Sequence, residues 1–247
     1  MTNWVTIYDC ANMTRAFGAL PVMAHAKEEV EEMVGLASAL VLNIGTLTPE
    51  FIDAMIVAGK AANKKCIPVV LDAVGAGATK LRTKSTLRML GEVKVDILKG
   101  NYGEVGVIAG VEAEVKGVES MGLTGDPAEI ARMLGERLGN TVVMTGKTDI
   151  VSDGKTTYFV ENGHEMMGSI VGTGCMAASV IGAFVAVEED NALAAASALG
   201  VYGIAGEIAA EKSMGPGTFK EQFYDAVSGL DGRVIKDRLK INTMPKT

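Results

Sequence analysis

Residues 67–77 read IPVVLDAVGAG, and that stretch decides the fold. Its first half is almost continuously apolar and rich in branched side chains, with no polar alternation. A strand of that kind is covered on both faces, which is the situation inside a parallel sheet. The run ends on Asp72 and then on Gly75-Ala76-Gly77, so the chain turns sharply where a carboxylate meets exposed backbone. Three other runs share the pattern: 39–43 (ALVLN), 95–99 (VDILK) and 141–145 (TVVMT). Two more, 149–152 and 156–160, flank Asp153-Gly154, a hairpin signal that predicts an antiparallel edge.

Helical patterns fill the intervals. Residues 26–37 are acidic in their first turns, where the helix dipole favours negative charge. Residues 49–64 follow Thr48 as N-cap, with Pro49 in the first helical position. Asp126-Pro127-Ala128-Glu129 opens a helix that sets Ile130, Met133, Leu134 and Leu138 on one face. Beyond Gly174 the spacing predicts helices over 175–187, 191–212 and 219–230. With no linker, repeat or low-complexity stretch, the alternation predicts one α/β domain over residues 1–247. Its sheet is doubly wound and mostly parallel, with helices on both faces.

Composition narrows the function. The net charge of −7 and the lack of any basic run argue against a nucleic-acid surface, which needs clustered cations to displace phosphate counterions. Cys10, Cys66 and Cys175 are odd in number and widely spaced, as reduced thiols in a cytoplasmic protein would be. His25 and His164 are too few for a zinc site. The opening MTNWVTIYDC has no signal-peptide pattern. Residues 166–187 carry no charge and imitate a membrane span. However, Gly172-Thr173-Gly174 interrupts the run, and a helix over 173–187 would reach only about 22 Å. A helix packed on all sides by protein is expected there.

The chemistry is expected at the carboxyl ends of the parallel strands. Asn43-Ile44-Gly45-Thr46, Asp72, Lys99-Gly100-Asn101 with Glu104, and Thr145-Gly146 all fall at such ends. Asp72 and Glu104 are hard oxygen donors suited to Mg²⁺, directly or through water; capping is the alternative role for Asp72 and a solvated helix position for Glu104. Gly172-Thr173-Gly174-Cys175 leads into the apolar helix, where successive amides and the dipole form an anion site. No Walker motif and no dinucleotide fingerprint is present. Phosphoryl transfer to the hydroxyl of a small molecule fits this set of residues.

Several blocks together resemble the hydroxyethylthiazole kinase family of thiamine salvage, which has the ribokinase-like fold without a separate lid domain. They include TNWVTIYDCAN, GALPVMAHAKEEVEEM, ASALVLNIGTL, IPVVLDAVGAGAT, KGNYGE, VMTGKTDIVSDG and VGTGCMAASVIGAFVAV. Cysteine after GTG is telling, because other ribokinase-like kinases usually place aspartate there. The resemblance implies ATP-dependent, Mg²⁺-dependent phosphorylation of 4-methyl-5-(2-hydroxyethyl)thiazole by a cytoplasmic homotrimer with its sites at subunit contacts. It implies that Met23, Gly172 and Asn3 contact the thiazole, and that Lys99, Thr145 and Gly174 hold ATP. Asp72 and Glu104 would serve the metal, and Cys175 would sit beside the reacting hydroxyl. Tyr8 stands where the family usually has Asn, His25 where it has Asp, Ala73 where it has Pro, and Lys99 where it has Arg. Lysine keeps the charge and loses the bidentate fork. Within the fold, the rivals are a kinase for another small alcohol, such as a hydroxymethylpyrimidine, and a nucleotide-dependent dehydratase. Outside it, the rival is a ligand sensor without chemistry.

Overall fold

The computed structural model describes residues 1–110, 113–116, 119–123 and 125–243. The first three strands are β1 (Leu40–Asn43), β2 (Val69–Asp72) and β3 (Ile97–Asn101). A hairpin of β4 (Ala113–Lys116) and β5 (Glu119–Leu123) stands outside the main sheet. The main sheet resumes with β6 (Thr141–Thr145), β7 (Asp149–Ser152), β8 (Thr157–Val160) and β9 (Ile241–Thr243). Among the described residues its order is β1-β2-β3-β6-β7-β8-β9. The first four strands are parallel and the last three antiparallel. The hairpin at Asp153-Gly154 forms as the sequence predicts, but the edge beyond it is β9, a strand too short to announce itself.

The helices are α1 (Ile7–Ala16), α2 (Val30–Leu36), α3 (Pro49–Lys65), α4 (Lys80–Glu92), α5 (Tyr102–Ala109) and α6 (Pro127–Leu138), then α7 (Thr173–Val185), α8 (Asn191–Lys212), α9 (Pro216–Ser228) and α10 (Gly232–Arg238). Helices cover both faces of the sheet. The parallel strands follow one another in sequence order, so right-handed crossovers bring α3 to α6 to one face. There Leu42, Leu71, Leu98 and Val142 meet Ile52, Met55, Met89, Val105 and Leu134. The opposite face, with Val70, Ile97 and Val143, is covered by α1 and the C-terminal helices α7, α8 and α9. No reversal of strand order is needed, because the C-terminal third of the chain supplies the second layer.

Local signals explain most boundaries. Thr48 caps α3 by accepting from the Phe51 N–H, with Pro49 at the first position, and Asp126 caps α6 through the Ala128 N–H. On α6 the apolar stripe is narrower than its spacing suggests: Ile130 and Leu134 are buried, while Met133 and Leu138, on its two margins, are exposed. Within the uncharged run at 166–187 the chain is interrupted at Gly172 as the sequence predicts: a short 3₁₀ turn covers Glu165–Ser169, and α7 starts at Thr173, with Thr173-Gly174-Cys175 as its first turn. Among the described residues one helix is long and apolar enough to cross a membrane, and it is α8, most of which is buried against the sheet and its neighbouring helices.

Register sets up the site. Asn43 pairs with Asp72, and Asp72 with Lys99, so the three side chains stand in one row across the carboxyl ends of β1, β2 and β3. Alternation along each strand turns that row away from Leu42, Leu71 and Leu98 and toward the face covered by α1 and α7.

Candidate active site

Asp72 is almost sealed from solvent, with 1% of its surface exposed, and so is Lys99 at 3%. The Lys99 ammonium donates to Asp72 Oδ1 at 3.0 Å, and the Asn43 amide donates to Asp72 Oδ2 at 2.6 Å. Asn43 Oδ1 accepts from Asn3 Nδ2 at 2.9 Å and from the Gly45 N–H at 3.0 Å. Asn3 Nδ2 reaches Cys175 Sγ at 3.3 Å. One hydrogen-bonded chain thus runs from a buried cation to the thiol at the start of α7.

Burial works against the Lys99 ammonium, but the surrounding Asp72, Glu104 and Cys175 outweigh it and hold its pKa above the ordinary value. Burial pushes the Asp72 carboxyl up, while Lys99 and the Asn43 amide pull it back. Glu104 is pushed up to about 7, first by burial and then by the Asp72 charge, against the pull of the Gly75 and Asn101 N–H groups. Burial and the Asp72 charge also raise the Cys175 thiol. The helix N-terminus does not make this cysteine a ready thiolate; it enters the site as a neutral S–H.

The anion site is built by α7. Gly172, its N-cap, has φ +98°, a left-handed conformation that suits glycine, and it offers no capping side chain. A Cβ at Gly172 would fall 2.5 Å from Thr6 Cγ2, so α1 is packed directly on this turn. The Met176 N–H returns to the Gly172 carbonyl, which leaves the amides of Thr173, Gly174 and Cys175 as the unsatisfied first turn. A Cβ built on Gly174 would meet nothing within 3.8 Å, and the atom it meets there is Lys99 Nζ. Open space over a helix N-terminus, walled by a lysine, has the shape and charge for a phosphate.

Glu104 plays a different part from Asp72. Its Oε1 accepts from Gly75 N at 2.6 Å and its Oε2 from Asn101 N at 2.7 Å, while Asn101 Oδ1 accepts from Glu104 N. That capping box starts α5 and also staples the glycine turn after β2 to the end of β3. Glu104 is thus a buried staple rather than a solvated helix residue. All four carboxylate oxygens of Asp72 and Glu104 already accept protein hydrogen bonds. Among the described residues no group of three or more His, Cys, Asp or Glu side chains is arranged to hold a metal ion. With their oxygens so engaged, Asp72 and Glu104 would hold Mg²⁺ through water rather than directly.

Other expected contacts fall around this centre. Thr145, at the end of β6, bonds to the Gly100 carbonyl at 3.4 Å and stays half-exposed. Met23 is half-buried against the same apolar cluster that holds Cys175. Three positions escaped sequence reasoning. Arg82 of α4 donates to the carbonyls of Ile44, Val74 and Gly45, tying together the loops after β1 and β2. Thr6 locks α1 to Gly172. Asp149, beside Thr145-Gly146, accepts from the Gly146 N–H and is pushed up to about 7 by burial. Thr6 and Asp149 both lie in blocks that carry the family resemblance, and Arg82 does not, but nothing in the local pattern singles out any of the three.

Known proteins carry the same arrangement of sequence and fold. The model of the hydroxyethylthiazole kinase family matches residues 1–232. A hydroxyethylthiazole kinase of Methanosarcina mazei is 57% identical over 244 residues, covering 99% of this chain and 94% of its own. A solved hydroxyethylthiazole kinase of Pyrococcus horikoshii OT3 superposes with a TM-score of 0.90 at 41% identity, over 98% of this chain and 91% of its own. The pyridoxal kinase of Staphylococcus aureus, solved with AMP-PCP and pyridoxal, shares the ribokinase-like fold at a TM-score of 0.60 and 14% identity, over 95% of this chain and 91% of its own. Similarity that spans nearly the whole chain, at 57% identity to one relative and a TM-score of 0.90 to a solved one, leaves one assignment: this chain belongs to the hydroxyethylthiazole kinase family.

Proposed function

We propose that the chain, acting as one domain, transfers the γ-phosphoryl group of ATP to the hydroxyl of 4-methyl-5-(2-hydroxyethyl)thiazole, giving the phosphate used in thiamine salvage. The observation that carries this reading is the open first turn of α7, with Lys99 in front of Gly174 and the Cys175 thiol beside it.

In such a transfer the protein mainly positions the reactants and neutralises charge. The amides of residues 173–175 receive the transferring group, and Lys99 faces it from across the cleft. Thr145 lies at the next strand end, where the nucleotide phosphates extend. Asp72 and Glu104 would hold Mg²⁺ through water, and the ion would supply neutralisation of the phosphate charge. Cys175, neutral and held by Asn3, orients the alcohol oxygen as an S–H group. Met23 and Asn3 line the approach of the thiazole.

The protein works as a cytoplasmic homotrimer in this reading. Trp4, Val5, Tyr8, Leu20, Val22 and Val171 are large, apolar and exposed. They flank Asn3, Met23 and Gly172 in sequence, so the surface around each expected thiazole contact is apolar and uncovered in one subunit. A turnover assay with ATP, Mg²⁺ and a panel of alcohols tests the function. Selective phosphorylation of the thiazole alcohol supports it; preference for a hydroxymethylpyrimidine, or no turnover at all, removes it.

A further inference from the structure

We infer that Asn43 is a positioning residue that couples Asp72 to Asn3 and through it fixes the Cys175 thiol at the mouth of α7. The inference rests on the phosphoryl-transfer reading of that site.

Asn43 is 1% exposed and ends β1 in register with Asp72. A buried primary amide must satisfy two donor hydrogens and an acceptor, and its surroundings dictate which end points where. The Asp72 carboxylate can only accept, so it demands the Nδ2 end at 2.6 Å. The Gly45 N–H can only donate, so it demands the Oδ1 end at 3.0 Å. The orientation is therefore settled without the thiol. Asn43 Oδ1 is left to accept from Asn3 Nδ2 at 2.9 Å. Asn3 is held at its other end, where Oδ1 accepts from the N–H groups of Val5 and Thr6. With both ends fixed, Asn3 Nδ2 is aimed at Cys175 Sγ at 3.3 Å.

Two consequences follow. The sulfur is occupied as an acceptor by Asn3, so its own proton is free to point away from that amide, toward the cleft. Asp72, tethered on one oxygen by Asn43, presents the other to Lys99. One amide thus sets both the thiol that meets the alcohol and the carboxylate that holds the cation facing the phosphate. Hydrophobic substitution at this position would leave an accepting oxygen of Asp72, the Gly45 N–H and one Asn3 hydrogen without partners.

The test compares Asn43→Ala and Asn43→Ser in wild-type and Cys175→Ala backgrounds, with kinetics, melting curves and peptide-level alkylation of the cysteines. Asn43→Ala is expected to lower kcat by about 10²-fold, as a misplaced reacting group does, with both KM values within about threefold. Asn43→Ser, which keeps a hydroxyl donor, recovers part of that loss. In the Cys175→Ala background the loss from Asn43→Ala shrinks, because the thiol it positions is gone. A loss confined to KM or to melting temperature, or full additivity with Cys175→Ala, would overturn the inference. Alkylation gives an arm independent of turnover. Asn3 donates to the sulfur and is held there by Asn43, so without Asn43 the pH at which Cys175 alkylates half-maximally should rise. An unchanged Cys175 profile in a folded Asn43→Ser protein sinks the positioning role even if no alcohol is phosphorylated. If the wild type phosphorylates none of the alcohols, yet the folded Asn43 variants show the shifted profile, the phosphoryl-transfer reading is defeated and the coupling stands.

Discussion

Lys99 Nζ lies 3.0 Å from Asp72 Oδ1, and both side chains are almost wholly withdrawn from water. Breaking a buried pair by removing one partner strands the other charge. Asp72→Asn should therefore cost about 3–5 kcal/mol of stability as well as activity. Adding Lys99→Met should restore most of the melting temperature while turnover stays absent. A single Asp72→Asn protein as stable as wild type would show that the pair is not ionised in the folded state.

Gly172→Ala should fail for two separable reasons. Its φ of +98° strains any side chain by about 1–3 kcal/mol, and its methyl would fall 2.5 Å from Thr6 Cγ2. Adding Thr6→Ser, which removes that methyl and keeps the hydroxyl, should recover the clash component only. Urea denaturation of the single and double variants separates the two contributions.

Asp149 gives a pH signature. Its folded pKa stands at about 7 against an ordinary 3.8. Between those values the folded state keeps a proton that the unfolded state has lost, so stability falls as pH rises through the window. Asp149→Asn keeps an oxygen for the Gly146 N–H and should flatten that slope, with a gain above about 1 kcal/mol near pH 7. Melting curves from pH 5 to pH 7.5 read this directly; parallel curves for the two proteins refute it.

Cys175 should behave as a neutral hydrogen-bonding group. General bases are typically worth about 10²–10⁴-fold, and Cys175→Ala should lose less than that while still binding ATP. Cys175→Asp should remain active, since Asn3, Lys99 and the α7 amides all favour a carboxylate there. At neutral pH the exposed Cys66 should alkylate well before Cys175, whose thiol is raised by burial. Faster modification of Cys175 would identify a thiolate instead.

Assembly should be needed for turnover. Leu20→Glu and Tyr8→Glu place charge on exposed apolar positions beside the site without touching the core. Sedimentation should then show the trimer dissociating, with KM for the thiazole alcohol raised by about tenfold or more. A fully active monomer would remove subunit contacts from the site.

The parallel strands were legible in the sequence, because short, continuously apolar, β-branched runs that alternate with helical patterns suit strands covered on both faces. The sequence also placed Asp72, Lys99, Thr145 and the glycine turn at strand ends, since each follows its apolar run directly. It missed α4, whose buried residues are Ser85, Thr86 and Met89 and give no apolar period, and with it Arg82. It read Asp72 and Glu104 as equals, although one holds a lysine and the other staples two loops. Only the tertiary structure decided the row of Asn43, Asp72 and Lys99. These residues come from separate strands, 29 and 27 positions apart, and their meeting depends on register. The reach from Asn3 to Cys175 spans 172 positions. Such contacts arise from which faces pack together, and no local pattern along the chain encodes them.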